Sequence, residues 1–159
     1  MNGAETVAHA LAHIAAEHRD LEQRATRLFQ LVKQRIDEDA LPVAMAELTL
    51  NLQELRDLMQ YHFAQETAGG YLEEAVARLP RLAGAADAVE RQHPELLCDS
   101  SALLESAKTA QPSIDAWKQL GVGVARFTDE LLAHEIEENR ILQEGFNEDP
   151  ALFDLDKDQ

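Results

Sequence analysis

The sequence predicts an all-α protein: an up-down-up-down antiparallel four-helix bundle, with a short connecting helix between the second and third long helices. Three observations predict it. The 159-residue chain is 45% hydrophobic yet has only 7 Gly and 5 Pro, the profile of a helix former large enough for a real core. Apolar residues recur at steps of three and four over four long stretches. Polar breaks that hold Pro or Gly separate those stretches, and short breaks make neighbouring helices antiparallel.

The first helix is expected from about Thr6 to Ile36, with the seam Val7, Leu11, Ile14, His18, Leu21, Ala25, Leu28, Val32. His18 stands where a leucine is expected. His9 and His13 share a face off that stripe and read as surface or connector residues. Asp37 to Pro42 forms a polar break, and Pro42 suits the start of the second helix. That helix runs to about Thr67 on the seam Leu48, Leu52, Leu55, Met59, His62, Glu66. Gly69-Gly70 stops it. Tyr71 to Leu79 reads as the short connecting helix.

The third long helix is expected from about Leu82 to Lys108, on Leu82, Ala86, Val89, His93, Leu97, Ser100, Leu104, Ala107. Pro94 removes a backbone donor and disfavours helical geometry at His93. The seam continues through it, which predicts one kinked helix. Ser113 is placed to cap the fourth helix, Ile114 to Glu144, whose seam is Leu120, Val124, Phe127, Leu131, His134, Glu138, Ile141. Gly121 and Gly123 inside it suggest close packing. Gly145 is expected to cap it. Residues 1–146 are expected to form the bundle and 147–159 an acidic tail whose Leu152-Phe153 can tuck against it.

A net charge of -16 argues against nucleic acid and against anionic membrane surfaces. The single Cys98 excludes an internal disulfide and reads as a small buried or half-buried residue. The N-terminus lacks a basic segment followed by an apolar core, and no apolar run approaches a membrane span, so a soluble, cytoplasmic protein is expected.

Function enters through the seams. His62 and Glu66, and again His134 and Glu138, are four residues apart and share a helix face. His18 and His62 are about equally distant from the first break, and His93 and His134 from the second, so the four histidines fall at one level. Six polar groups in one core layer need partners, and two facing carboxylates repel. A pair of divalent metals removes both problems, each glutamate bridging the ions and each ion taking two histidines. Imidazole with carboxylate suits iron, with manganese or zinc as further occupants. Tyr61 and Tyr71 are close in sequence to this layer. A ferritin-like site fits less well, because it uses Glu-x-x-His in the opposite order.

The order His18, His62-x-x-x-Glu66, His93, His134-x-x-x-Glu138, with Glu17-His18, His62-Phe63 and Gln92-His93-Pro94 around it, resembles the hemerythrin-like (HHE cation-binding) domain over about Val7 to Phe146. The resemblance implies a non-haem diiron centre, oxo- or hydroxo-bridged, that meets oxygen, nitric oxide or peroxide, with a protein or small reductant as partner. Leu97 stands where oxygen carriers have a second histidine, and Glu138 where they have aspartate, so the chain is similar to the four-histidine, two-glutamate branch. Sensing or binding is the leading expectation. A diiron oxidase or peroxidase and an iron-homeostasis or iron–sulfur-repair protein are alternatives, although the cysteine-containing N-terminal segment of the repair members is lacking. A metal-free helical interaction module is a third class. Six protein ligands plus one oxygen bridge leave one open position on each six-coordinate iron, unless His9 or His13 swings in.

Overall fold

A computed structural model of the chain describes residues 3–147. It contains α1 (Gly3–Val32), α2 (Leu41–Gly69), α3 (Tyr71–Arg78), α4 (Ala83–Thr109) and α5 (Ile114–Phe146), with single 3-10 turns at Glu38–Ala40 and Pro80–Leu82. The described residues hold no strand. The four long helices close a ring in which α1 packs on α2, α2 on α4, α4 on α5 and α5 on α1. That ring is the antiparallel up-down-up-down bundle read from the sequence.

The elements begin and end for local reasons. Ser113 accepts a hydrogen bond from the Ala116 amide at 3.1 Å and caps α5. Gly70 ends α2 in the left-handed region at φ 64°, and its N–H donates to the Glu66 carbonyl at 3.0 Å. One α4 helix runs through Pro94. Its buried stripe takes a three-residue step just after His93, so Leu96 is buried and Leu97, the expected seam residue, is half-buried. Cys98 is exposed rather than buried, because it lies off that stripe.

The apolar core is split in two. The larger half gathers Leu21 to Leu31 of α1, Leu41 to Phe63 of α2, Leu96 to Ala107 of α4 and Trp117 to Leu131 of α5. The smaller half gathers Leu11 to Ala15 of α1, Leu72 and Ala75 of α3, Ala86 and Val89 of α4 and Ile141 to Phe146 of α5. Between them, on α1, α2, α4 and α5, the buried residues are His18, His62, Glu66, His93, His134, Glu135, Glu138 and Asn139. Because α2 stops just past Glu66, α3 takes its corner of the smaller half and packs on α5.

The contact of α3 with α5 corrects the expected role of Gly145. The helix continues through it to Phe146, and Asn147 caps it at φ 53°. A Cβ on Gly145 would stand 2.4 Å from the Ala75 Cβ and 2.8 Å from its Cα. The close approach of α3 is what requires glycine there. Of the expected tail, residues 147–159, all but Asn147 lie outside the described residues, Leu152 and Phe153 among them.

Gly145→Ala therefore sets a helix-propensity gain of about 1 kcal/mol against an overpacking cost of about 1–3 kcal/mol. We expect a net loss of stability in denaturant unfolding, partly restored by adding Ala75→Gly. Unfolding unchanged in Gly145→Ala would contradict the close α3–α5 contact.

Candidate metal centre

All six residues singled out by spacing meet in the polar layer. His18, His62, Glu66, His93, His134 and Glu138 are each at most 8% exposed. The imidazoles form two perpendicular pairs, His18 with His62 at 4.7 Å between ring centroids and His93 with His134 at 4.9 Å. Phe63 stacks on His93 at 4.0 Å and meets His134 edge-on.

The glutamates join the pairs. Glu66 Oε1 lies 2.7 Å from His62 Nε2 and 3.0 Å from His18 Nε2, and its Oε2 lies 3.7 Å from His93 Nε2. Glu138 Oε2 lies 3.2 Å from His134 Nε2 and 3.9 Å from His93 Nε2. Two groups of mutually close nitrogen and oxygen atoms could each hold a metal ion: His18, His62, Glu66 and Glu138, and His93, His134 and Glu138. Glu138 belongs to both.

Three histidines are oriented from behind. His18 Nδ1 donates to the Asn139 side-chain carbonyl, His62 Nδ1 to Glu17 at 3.0 Å and His134 Nδ1 to Gln92 at 2.9 Å. An imidazole whose Nδ1 carries the hydrogen presents the Nε2 lone pair, the tautomer that a metal takes.

The donor set fits a metal on a further observation. His62 Nε2, His93 Nε2, His134 Nε2, Glu66 Oε2, Glu138 Oε2 and both carboxylate oxygens of Glu135 are buried without a hydrogen-bond partner among the described residues. His62 Nε2 and Glu66 Oε1 are close enough to bond but misaligned for it. Ligand atoms about 2.1 Å from a shared ion and at right angles stand about 3.0 Å apart. The separations of 2.7, 3.0 and 3.2 Å are of that size.

Charge follows the same layout. Burial alone would lower the His18 pKa. The Glu135 charge, the Glu66 hydrogen bond and the Glu138 charge outweigh it and push the group up to about 10. Burial would raise Glu138, but the His134 and His93 imidazoles hold it well below the usual carboxylate range. Burial pushes Glu135 up, partly offset by His18 and His62.

Sequence reasoning missed Glu135 and Asn139, and named Glu17 and Gln92 only as neighbours of a seam histidine, without a role. Glu17 and Gln92 each precede a seam histidine, while Glu135 and Asn139 flank His134 and Glu138 on the second buried stripe of α5. His13 is 65% exposed and lies 3.4 Å from Glu17, His9 is exposed and so is Tyr61, while Tyr71 packs with the smaller apolar half.

The family description "Hemerythrin HHE cation binding domain" matches residues 9–144. No curated protein and no solved structure matches the chain at comparable stringency. No helix of the described residues is long and apolar enough to cross a membrane.

The raised His18 pKa gives the metal-free protein a signed pH dependence. The stability it contributes is fully present below about pH 6.5 and is lost as pH rises through about 10. The melting temperature of chelator-treated protein should fall across that window. The stabilisation added by a divalent metal should instead grow as pH rises through neutrality, since metal and protons compete for the imidazoles. A metal-free melting temperature that stays level from pH 6.5 to 10 would contradict the buried charge assignment.

Proposed function

This chain belongs to the hemerythrin HHE cation-binding domain family, and we propose that it holds two metal ions, iron in preference, to bind or sense oxygen, nitric oxide or a related small oxidant. The observation that carries the reading is the sharing of Glu138 by two groups of buried, mutually close donors. His18 and His62 would hold one ion and His93 and His134 the other, with Glu66 and Glu138 spanning both. Bound iron would supply redox-active positions for a small oxidant.

The chain's own residues set the conditions. Asn139, Glu17 and Gln92 keep three imidazoles in the tautomer that offers Nε2 to the centre. Leu11, Ile14 and Ile141 on one side and Leu21 and Leu131 on the other exclude bulk water. His93, at 8%, is the most exposed of the four histidines. A cleft of about 400 Å³ between α4 and α5 is lined by Gln92, Glu95, Leu96 and Ala133, which flank His93 and His134 in sequence. A diatomic molecule would enter from that side.

Elemental analysis after anaerobic iron loading should give two irons per chain, and air oxidation should give the absorption bands of an oxygen-bridged diferric pair. Well under one metal per chain would end the reading. Glu66→Ala and Glu138→Ala should each lose the pair, while His18→Ala keeps partial occupancy, as expected of bridging against terminal ligands. Equal occupancy in all three would show that the carboxylates do not bridge.

A further inference from the structure

We propose that Glu135 is a third carboxylate ligand of the centre, a terminal ligand on the ion held by His18 and His62, which leaves the ion held by His93 and His134 as the one open to small molecules. This deepens the two-metal reading and rests on it.

Glu135 is wholly buried, and neither of its oxygens has a hydrogen-bond partner among the described residues. An ionised carboxylate in that condition is costly to keep. Among the described residues its one close ionic contact is with His18, Oε2 to Nε2 at 3.3 Å, on the nitrogen that also meets Glu66 Oε1 at 3.0 Å. His18 Nδ1 is engaged by Asn139, one turn beyond Glu135 on α5. With a metal on Nε2, His18 has no hydrogen left to give either glutamate. Glu66 still has the ion, and Glu135 is left with no partner unless it binds the ion as well. The 3.3 Å separation matches neighbouring ligands on one ion, about 3.0 Å apart at right angles.

Glu135 is not among the atoms of either mutually close group. Its contact with the first group is through His18, and that contact is what assigns it to the ion held by His18 and His62, as a terminal ligand. His9 and His13, the histidines that could have closed a position from α1, are exposed. Glu135 does so from α5. Two open positions, one per ion, thereby become one.

The test uses the full chain loaded anaerobically with ferrous iron and titrated with nitric oxide, beside Glu135→Gln and Glu135→Ala. The native protein should hold two irons and take up one equivalent of nitric oxide per chain. Both variants should still bind iron, with at least one ion weakened about tenfold or more, and nitric oxide uptake should rise to two equivalents where both ions are retained. The gain in melting temperature on ferrous loading should be smaller for Glu135→Gln than for the native protein. If Glu135→Ala does not fold, the near-isosteric Gln variant carries the same readouts. Native protein with two irons and two equivalents of nitric oxide, or a Gln variant with unchanged iron affinity, overturns the Glu135 assignment and leaves the two-metal reading standing. Native protein that binds no iron overturns both.

Discussion

The rest of the structure depends on one constraint: three buried carboxylates and four buried imidazoles share a single layer of an otherwise apolar bundle. Such a layer opposes folding unless its charges are matched. A proton on His18 Nε2 can match them in part, facing Glu66 and Glu135 at once. Metal ions can match them more fully, because they accept lone pairs from imidazole nitrogens and carboxylate oxygens that lack a hydrogen-bond partner. The same atoms therefore look like a strained proton site or a relaxed metal site, depending on what occupies the centre.

The apolar halves on either side act as clamps. α1, α4 and α5 carry their polar residues between two hydrophobic segments, and α2 carries them at the end of one, so sliding a helix would draw apolar side chains into the polar layer or imidazoles into the core. The termination of α2 just past Glu66 belongs to the same arrangement. Gly70 caps the Glu66 carbonyl and redirects the chain, and α3 then closes the smaller half against Gly145. Local turn chemistry, helix packing and the position of one proposed bridging carboxylate are in this way joined within about one turn of chain.

The bundle and the six central residues were legible in the sequence because they depend on period and depth alone. A histidine on a leucine seam, at matched distance from a break, has few other places to go. What was not legible depends on how many neighbours a helix has. A single seam describes a helix that packs along one line, but α5 lies against both α1 and α4 and buries paired positions: Phe127 with Thr128, His134 with Glu135, Glu138 with Asn139, Ile141 with Leu142. Only the first of each pair lies on a one-residue seam, so Glu135 and Asn139 fall off it. The roles of Glu17 and Gln92 were hidden for a related reason. Each precedes one seam histidine yet bonds the histidine of a neighbouring helix, a relation set by helix crossing and not by spacing. Gly145 looked like a cap because glycine near a helix end usually is one, whereas here the approach of Ala75 decides.

These second-stripe residues make the centre unequal. The His18 and His62 side is wholly enclosed and has Glu135, Asn139 and Glu17 upon it. The His93 and His134 side has the stacked ring of Phe63, a single amide from Gln92 and the more exposed imidazole. Added negative charge favours the more oxidised state of a metal, and an apolar, less charged neighbour favours a neutral diatomic molecule. In the proposed two-metal centre the enclosed side, with Glu135 beside it, would be suited to storing charge, and the side of the more exposed His93 to meeting a small molecule. Glu66 and Glu138 lie between the two, so a change of charge on one side is felt through them on the other.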